Sequence, residues 1–415
     1  MKSYMNINRF IIALLLGLSL GAWCNGEGDI DAAPMEKAEQ EALYKAIQGF
    51  VGNWWNGSDL YPDPCGWTPI EGVSCDIYDG LCLESLEFRS NPGLIGQIPT
   101  GFGRLMKLQS LVLLENGLSG ELPTNIGYLT NLKKLVISGN WLNGHVPDIF
   151  GGLSELLILD LSGNSLSGSL PLTFRGLTSL LKLDLSNNQL EGNIPKEIGY
   201  LKNITLLDLR NNKLSGGLAQ SLQELYSLEE MVLSNNPIGG DLKSLEWKNL
   251  QNLIVLDLSS MGLIGEIPES MAQLKRLRFL GLNNNKLTGN LLPKLASMPC
   301  ISALYINGNN LSGELQLSAW FYEKMGRRFG AWNNPNLCYP FGLVSTSHIP
   351  YGVKRCQQEV AFLETNSKTM LGGGDLNQNS DFMASLGFSN YVVNEFWWVL
   401  LLESLMVVLF LSCFI

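Results

Sequence analysis

The chain has 415 residues, with 28 Lys and Arg against 38 Asp and Glu, two His and a formal net charge of −10. An acidic balance without a basic stripe excludes the electrostatic footprint of a nucleic-acid binder and argues only for solubility. Two histidines leave little for a His-centred metal or catalytic cluster.

The N-terminus reads as a secretory signal peptide. Lys2 and Arg9 precede an apolar run from Phe10 to Leu20, and Ala22 and Cys24 then offer small side chains for cleavage. Eleven apolar residues are too few to span a bilayer. Setting residues 1–25 apart removes Lys2 and Arg9 and no acid, so the net charge of the remainder moves from −10 to −12. Export also places the cysteines where they can pair.

Residues 26–82 are expected to form an N-terminal cap. Residues 35–52 predict an amphipathic helix with Leu43, Ile47 and Phe50 on one face. Trp54, Trp55, DPCGW at 63–67 and GVSC at 72–75 follow.

From residue 83 to 315 one pattern returns ten times, opening at Leu83, Leu108, Leu132, Leu156, Leu180, Ile204, Leu228, Leu253, Leu277 and Ile301. Every spacing is 24 or 25 residues. The fifth unit shows the pattern whole: Leu180, Leu183, Leu185, Asn188, Leu190, Gly192, Ile194 and Pro195. A fixed period of this length is the signature of a leucine-rich-repeat solenoid. The LxL segment predicts a strand with inward leucines and outward intervening residues. One short strand cannot bury its face alone, so the units stack into a curved parallel sheet along one concave side. The recurrent Asn turns the chain and satisfies backbone groups of neighbouring coils. That ladder runs through Asn91, Asn116, Asn140, Asn164, Asn188, Asn212 and Asn236, is interrupted by Met261, and resumes at Asn285 and Asn309. The Gly after the second Leu permits a backbone bend that side chains resist, and Pro then closes the segment without needing a donor.

LSGELP at 118–123, LSGSLP at 166–171 and LIGEIP at 263–268 resemble the plant-specific class of leucine-rich repeats, which implies a second short sheet beside the main one. Units six and seven depart from it, with Ala219 after Leu218 and Lys243 after Leu242, so the second sheet is expected to break there. DPCGW and GVSC resemble the N-terminal cap of plant leucine-rich-repeat receptors, with extra residues between Trp67 and Gly72, and NNPNLC at 333–338 resembles their C-terminal cap, placed at 316–356. The resemblance goes with two cap-stapling disulfides, Cys65–Cys75 and Cys338–Cys356; Cys82 is an alternative partner for Cys65. Cys82 and Cys300 occupy the same column nine coils apart, roughly 40 Å, far beyond disulfide reach. Cys300 is expected to be an unpaired, partly buried thiol.

Residues 357–392 turn polar and Gly/Asn/Ser-rich, which suits a stalk. From Phe396 to Ile415 the chain is apolar apart from Glu403. This 393–415 tail is either a transmembrane helix or a lipid-anchor signal that is removed. Both readings tether the protein to the plasma membrane on its extracellular face.

Sequons at Asn56, Asn203 and Asn310 are expected glycosylation sites in a secreted chain. His145 and His348 read as exposed loop residues, and no catalytic residue, metal or cofactor is indicated. Asp375, Asn377, Asn379 and Asp381 imitate a calcium loop, but Ser380 and Leu386 stand where Gly and Glu are required.

The outward strand positions supply the candidate binding face. Its central column runs Glu87, Val112, Val136, Asp160, Asp184, Asp208, Val232, Asp257, Gly281 and Tyr305, with the aspartates read as structural or solubilising. Lys133, Lys134, Arg210, Arg278, Phe279 and Tyr305 break the pattern with cations and aromatics, the residue types that anchor interfaces. Taken whole, the chain resembles plant receptor-like proteins. That implies a non-enzymatic recognition module for an extracellular peptide, protein or glycan, signalling through a receptor-kinase partner and not through nucleic acid. Only 59 residues follow Cys356, too few for a kinase domain. The alternative is a wall-localised inhibitor of microbial pectin-degrading enzymes, whose family lacks the hydrophobic tail.

Overall fold

The structure is a computed structural model that describes residues 35–51, 55–65, 69–76, 82–340 and 349–357. The signal peptide, Trp54, Trp67, His348, the calcium-like stretch, the stalk and the tail lie outside the described residues.

A helix at Lys37–Val51 opens the described chain, with Leu43 fully buried, Ile47 7% exposed and Phe50 packed against the core. It covers the first coil. Val73–Asp76 then pairs antiparallel with Cys82–Arg89. From there every neighbour in the long sheet is parallel, through Ser110–Leu114, Lys134–Val136, Ile158–Asp160, Lys182–Asp184, Leu206–Asp208, Glu230–Val232, Val255–Asp257, Phe279–Gly281 and Ala303–Tyr305.

The repeated leucines make one continuous core. In the fifth coil Leu180, Leu183, Leu185 and Leu190 have no exposed surface, and Ile194 has 4%. Each apolar column stacks on its copy in the next coil, so no single coil has a core of its own. The Asn ladder closes the bend inside. Asn188 Nδ2 donates to the carbonyls of Leu161, Leu185 and Ser186 at 3.0, 3.2 and 3.2 Å, and its Oδ1 accepts from Leu166 N–H at 3.0 Å. Where Met261 interrupts the ladder, Asn285 Oδ1 accepts from both Met261 and Leu263 N–H, each at 3.0 Å.

The second set of strands is present in segments: Ile95–Gly96 with Gly117–Glu121 and Trp141–Asn143; Ser167–Gly168 with Gln189–Asn193 and Lys213–Ser215; Ile264–Glu266 with Lys286–Thr288. Between Asn143 and Ser167 the regular pairing lapses, yet Ser165 and Ser167 N–H still donate to the Leu142 and Gly144 carbonyls. The anticipated break falls in unit seven. Unit six keeps its strand despite Ala219, whereas unit seven contributes only an isolated bridge from Asp241 to Ile264. Pro237 stands where Gln189 N–H donates to Leu166 two coils earlier, so that donor is missing. Trp247 fills the space beneath, fully buried, its Nε1–H donating to the Leu242 carbonyl at 2.8 Å.

The solenoid runs one coil beyond the ten units. Phe329–Gly330 adds a final strand beside Ala303–Tyr305, and Asn334 joins the ladder by accepting from Leu311 N–H and donating to the Ile306 carbonyl, both at 3.0 Å. Leu337 supplies the following buried residue. Asn336–Tyr339 and Lys354–Arg355 then extend the second-side sheet past Ser312–Glu314.

Both expected disulfides are formed. Cys65–Cys75 ties the N-terminal cap, and Cys338–Cys356 joins the adjacent strands Asn336–Tyr339 and Lys354–Arg355. Cys65 thus takes Cys75 and not Cys82, and Cys300 is not disulfide-bonded. One expectation is corrected here: Cys300 is exposed, not partly buried. It lies in the turn after the short helix Pro293–Ala296, outside the leucine columns, which begin at Ile301.

Candidate functional site

The strand registers place the expected central column in a single row, from Glu87 through Val112, Val136, Asp160, Asp184, Asp208, Val232, Asp257 and Gly281 to Tyr305. The middle of this row is acidic and closely held. Asp160 Oδ1 accepts from the backbone N–H and hydroxyl of Ser162 at 3.1 and 2.7 Å, and Asp184 repeats this with Ser186 at the same two distances. Asp208 accepts from Arg210 N–H, and Asp257 from Ser259 N–H. These aspartates close the turn after each strand, a structural role.

Their environment is also electrostatically costly. Asp208 is 5% exposed, and burial, with the neighbouring Asp184 carboxylate, pushes its pKa up to about 7 against the opposing pull of Arg210. Burial likewise raises Asp184, helped by Asp160, and raises Asp257. Arg210 lies 3.3 Å from Asp208 in an ion pair, so its guanidinium serves the sheet before it serves a partner.

The six candidate residues do not form one site. Lys133 and Lys134 lie on the third coil, exposed and half-buried respectively. Lys134 and Phe279 share a column six strand spacings apart, roughly 29 Å. Arg210 stands between them, engaged. The structure does bring Phe279 and Tyr305 together, their ring centroids 5.8 Å apart and tilted by 46°. Arg278, next to Phe279 on the same coil, is exposed.

This aromatic pair exists because glycines clear room for it. A β-carbon on Gly281 would lie 3.0 Å from Phe279 Cε1, and one on Gly330 would lie 2.8 Å from Tyr305 Cδ1. The stack continues into the cap, where Trp332 lies beside Gly330 and meets Tyr351 with centroids 6.0 Å apart. Tyr351 is 81% exposed. Burial raises the Tyr305 phenol, opposed by the nearby Arg328 charge. Trp332, Tyr351 and Arg328 were not legible as site residues. Trp332 and Arg328 flank a last strand, FG, that lacks the LxL signal, and the two outward aromatics only become neighbours once that strand is placed.

The other expected sites are dispersed. Asn56, Asn203 and Asn310 are all exposed, as is His145. Asn203 Nδ2 donates to the Thr178 carbonyl at 2.9 Å. Among the described residues no group of three His, Cys, Asp or Glu could hold a metal ion, and no helix is long and apolar enough to cross a membrane.

Residues 86–325 match the family model of the leucine-rich repeat region. The chain belongs to the leucine-rich-repeat family. It is 65% identical over 420 aligned positions to Piriformospora indica-insensitive protein 2 of Arabidopsis thaliana, covering 84% of this chain and 99% of that protein. Among solved structures it resembles a plant peptide hormone receptor, RGFR1 in complex with RGF2, at TM-score 0.54 and 32% identity over 59% of this chain and 39% of that one. A plant ice-binding protein aligns at TM-score 0.64 and 26% identity, over 78% of this chain and 99% of that one. The PEPR1–AtPEP1 structure aligns at TM-score 0.56 and 26% identity, over 73% and 49%. The chain spans about two fifths of the RGFR1 chain and one half of the chain in the PEPR1–AtPEP1 structure. The leucine-rich-repeat fold of this protein is thus shared with plant receptor ectodomains and with a plant ice-binding protein.

Proposed function

We propose that the protein is a non-enzymatic recognition module at the plant cell surface, secreted, tethered through residues 393–415, and signalling through a receptor-kinase partner. The observation that carries this reading is the Phe279–Tyr305 stack beside exposed Arg278 on the outward face of the long sheet. Aromatics and Arg on a rigid sheet are the residues that anchor a protein or peptide partner at low conformational cost. A plant peptide hormone receptor of like fold, RGFR1, is solved in complex with RGF2, which supports a peptide or protein ligand here. The name of the 65% identical relative supports a place in the interaction with a root fungus. Glycans on Asn203 and Asn310 would mark edges of the solenoid closed to a large partner, Asn310 on the same coil as Tyr305.

The test is affinity capture from root plasma-membrane extracts, with the chain lacking residues 391–415 as bait beside its Phe279→Ala/Tyr305→Ala counterpart. A receptor kinase enriched by the first bait and reduced about tenfold or more with the second supports the reading. Equal recovery with both baits, or no kinase, overturns it.

A further inference from the structure

Away from the sheet face lies a groove with a different origin. It has a volume of about 420 Å³ and crosses the turns that follow the first four strands of the repeat array, lined by Pro92, Glu115, Gly117, Gly139, Gly163 and Ser165 around Trp141. Trp141 is 71% exposed and has no ring partner among the described residues.

Comparison between coils explains the groove. The residue before each ladder Asn adopts positive φ: Gly139 at 68° and Gly163 at 62°, then Asn187, Asn211 and Asn235 at 55°, 54° and 56°. In coils five to seven the asparagine amides stack over this position, Asn211 donating to Asn187 and Asn235 to Asn211, both at 2.7 Å. The same backbone therefore accepts Asn, and glycine at 139 and 163 leaves open the volume that the amide ladder fills further along. A β-carbon on Gly163 would come no closer than 3.4 Å to the preceding coil, so there is space for a side chain, and the left-handed backbone that strains most residues is one that Asn adopts at 187, 211 and 235.

We propose that this groove binds a neutral oligosaccharide, with the Trp141 indole as the stacking platform for a pyranose ring. The lining selects that chemistry. No Lys or Arg lines it and Glu115 does, which disfavours polyanionic glycans and nucleic acid. A cationic peptide finds a single carboxylate, one oxygen of which already accepts from the Ser90 hydroxyl at 2.9 Å. An apolar peptide finds one large apolar side chain among glycines and short polar residues. A sugar ring offers an apolar C–H face for the indole and hydroxyls at its edge for the other Glu115 oxygen and the Ser165 hydroxyl. The floor crosses three coil spacings, roughly 14 Å, room for a short chain of rings but not for a folded partner.

The test is calorimetric titration of the chain lacking residues 391–415 with cellohexaose and chitohexaose, alongside trigalacturonate and hexalysine. One of the neutral oligosaccharides should bind with a Kd of about 1 mM or tighter. Trp141→Ala should weaken that binding about tenfold or more, Trp141→Phe should retain most of it, and Gly163→Asn should abolish it by refilling the groove. Melting temperatures report folding of each variant; should Trp141→Ala fail to fold, the Gly163→Asn comparison decides alone. No binding of either neutral sugar, equal binding by Gly163→Asn, or preference for trigalacturonate or hexalysine would overturn the proposal. The kinase-partner reading stands or falls separately, on Phe279 and Tyr305.

Discussion

Phe279 and Tyr305 meet diagonally across adjacent coils, and the residue directly beside Tyr305 in the preceding strand is Gly281. A β-carbon at 281 would lie 2.7 Å from Asp257 Oδ1 and 3.0 Å from Phe279 Cε1, so glycine there gives both side chains room. The pair has two possible duties, packing along the sheet and anchoring a partner, and these separate experimentally.

If the pair anchors a partner, Phe279→Ala and Tyr305→Ala should each weaken binding by about 2 kcal/mol, with secretion near wild type. If it only packs, the cost appears in stability, about 0.5–1.5 kcal/mol for an aromatic pair beyond its buried area. Binding assays and thermal melts on the same two variants decide. A lowered melting temperature with unchanged affinity would remove both residues from the binding site.

Asn188 carries a second prediction. Its amide serves three carbonyls and one N–H within the bend. Asn188→Ala leaves the buried Leu166 N–H without its acceptor, whereas the Leu161, Leu185 and Ser186 carbonyls keep donors in Asn164, Asn212 and Gly163, so a loss of about 1–3 kcal/mol is expected. Asn188→Asp should cost at least as much, because a second acceptor oxygen then faces the Leu161, Leu185 and Ser186 carbonyls. Denaturant titration of the two variants measures both. Wild-type stability in Asn188→Asp would mean that the ladder is not what holds the turn.

Much of this architecture was legible because each rule acts within one repeat and is then reapplied. Leu183 predicts its own burial, Asn188 its own hydrogen bonds, and Pro195 the turn that follows. The paired cysteines were legible from their cap motifs. What escaped depends on one coil's relation to another. The eleventh coil is built on Phe329 and Ala331, which break the leucine pattern but still stack on Leu304 and Ile306. The exposure of Cys300 follows from a short helix just before it. The groove beside Trp141 becomes visible only when Gly139 and Gly163 are compared with Asn187, Asn211 and Asn235 in space. Arg210 read as an available cation, yet it is committed to Asp208 one turn away.

The tether is tested by truncation. The full-length protein should require detergent for extraction from membranes. Deleting residues 391–415 should release a folded protein to the medium, because the caps and repeats contain the whole described core. Membrane retention of the truncated chain would contradict a tail anchor.

The last prediction concerns Asp208 and pH. Its carboxyl is buried and beside Asp184, so its folded pKa lies at about 7, well above the ordinary value of 3.8. Between those two values the folded state holds a proton that the unfolded chain releases. Stability from this group is therefore fully present below about pH 4 and declines as pH rises through about 7. Asp184 and Asp257 are raised by burial too and act in the same direction. Arg210 opposes the trend by favouring the charged form, but at 3.3 Å it offsets only part of the burial cost. The loss attributable to Asp208 is on the order of a few kcal/mol at most, taking 1.36 kcal/mol per pKa unit. The wild-type protein should thus melt at a higher temperature at pH 5 than at pH 7.5, once the response of a reference variant is subtracted. Asp208→Asn is that reference: it keeps the shape and removes the ionisation. Its melting temperature should fall less between the two pH values than that of the wild type. A steeper fall in Asp208→Asn, or equal slopes in the two proteins, would show that Asp208 is ionised in the folded sheet and held by Arg210.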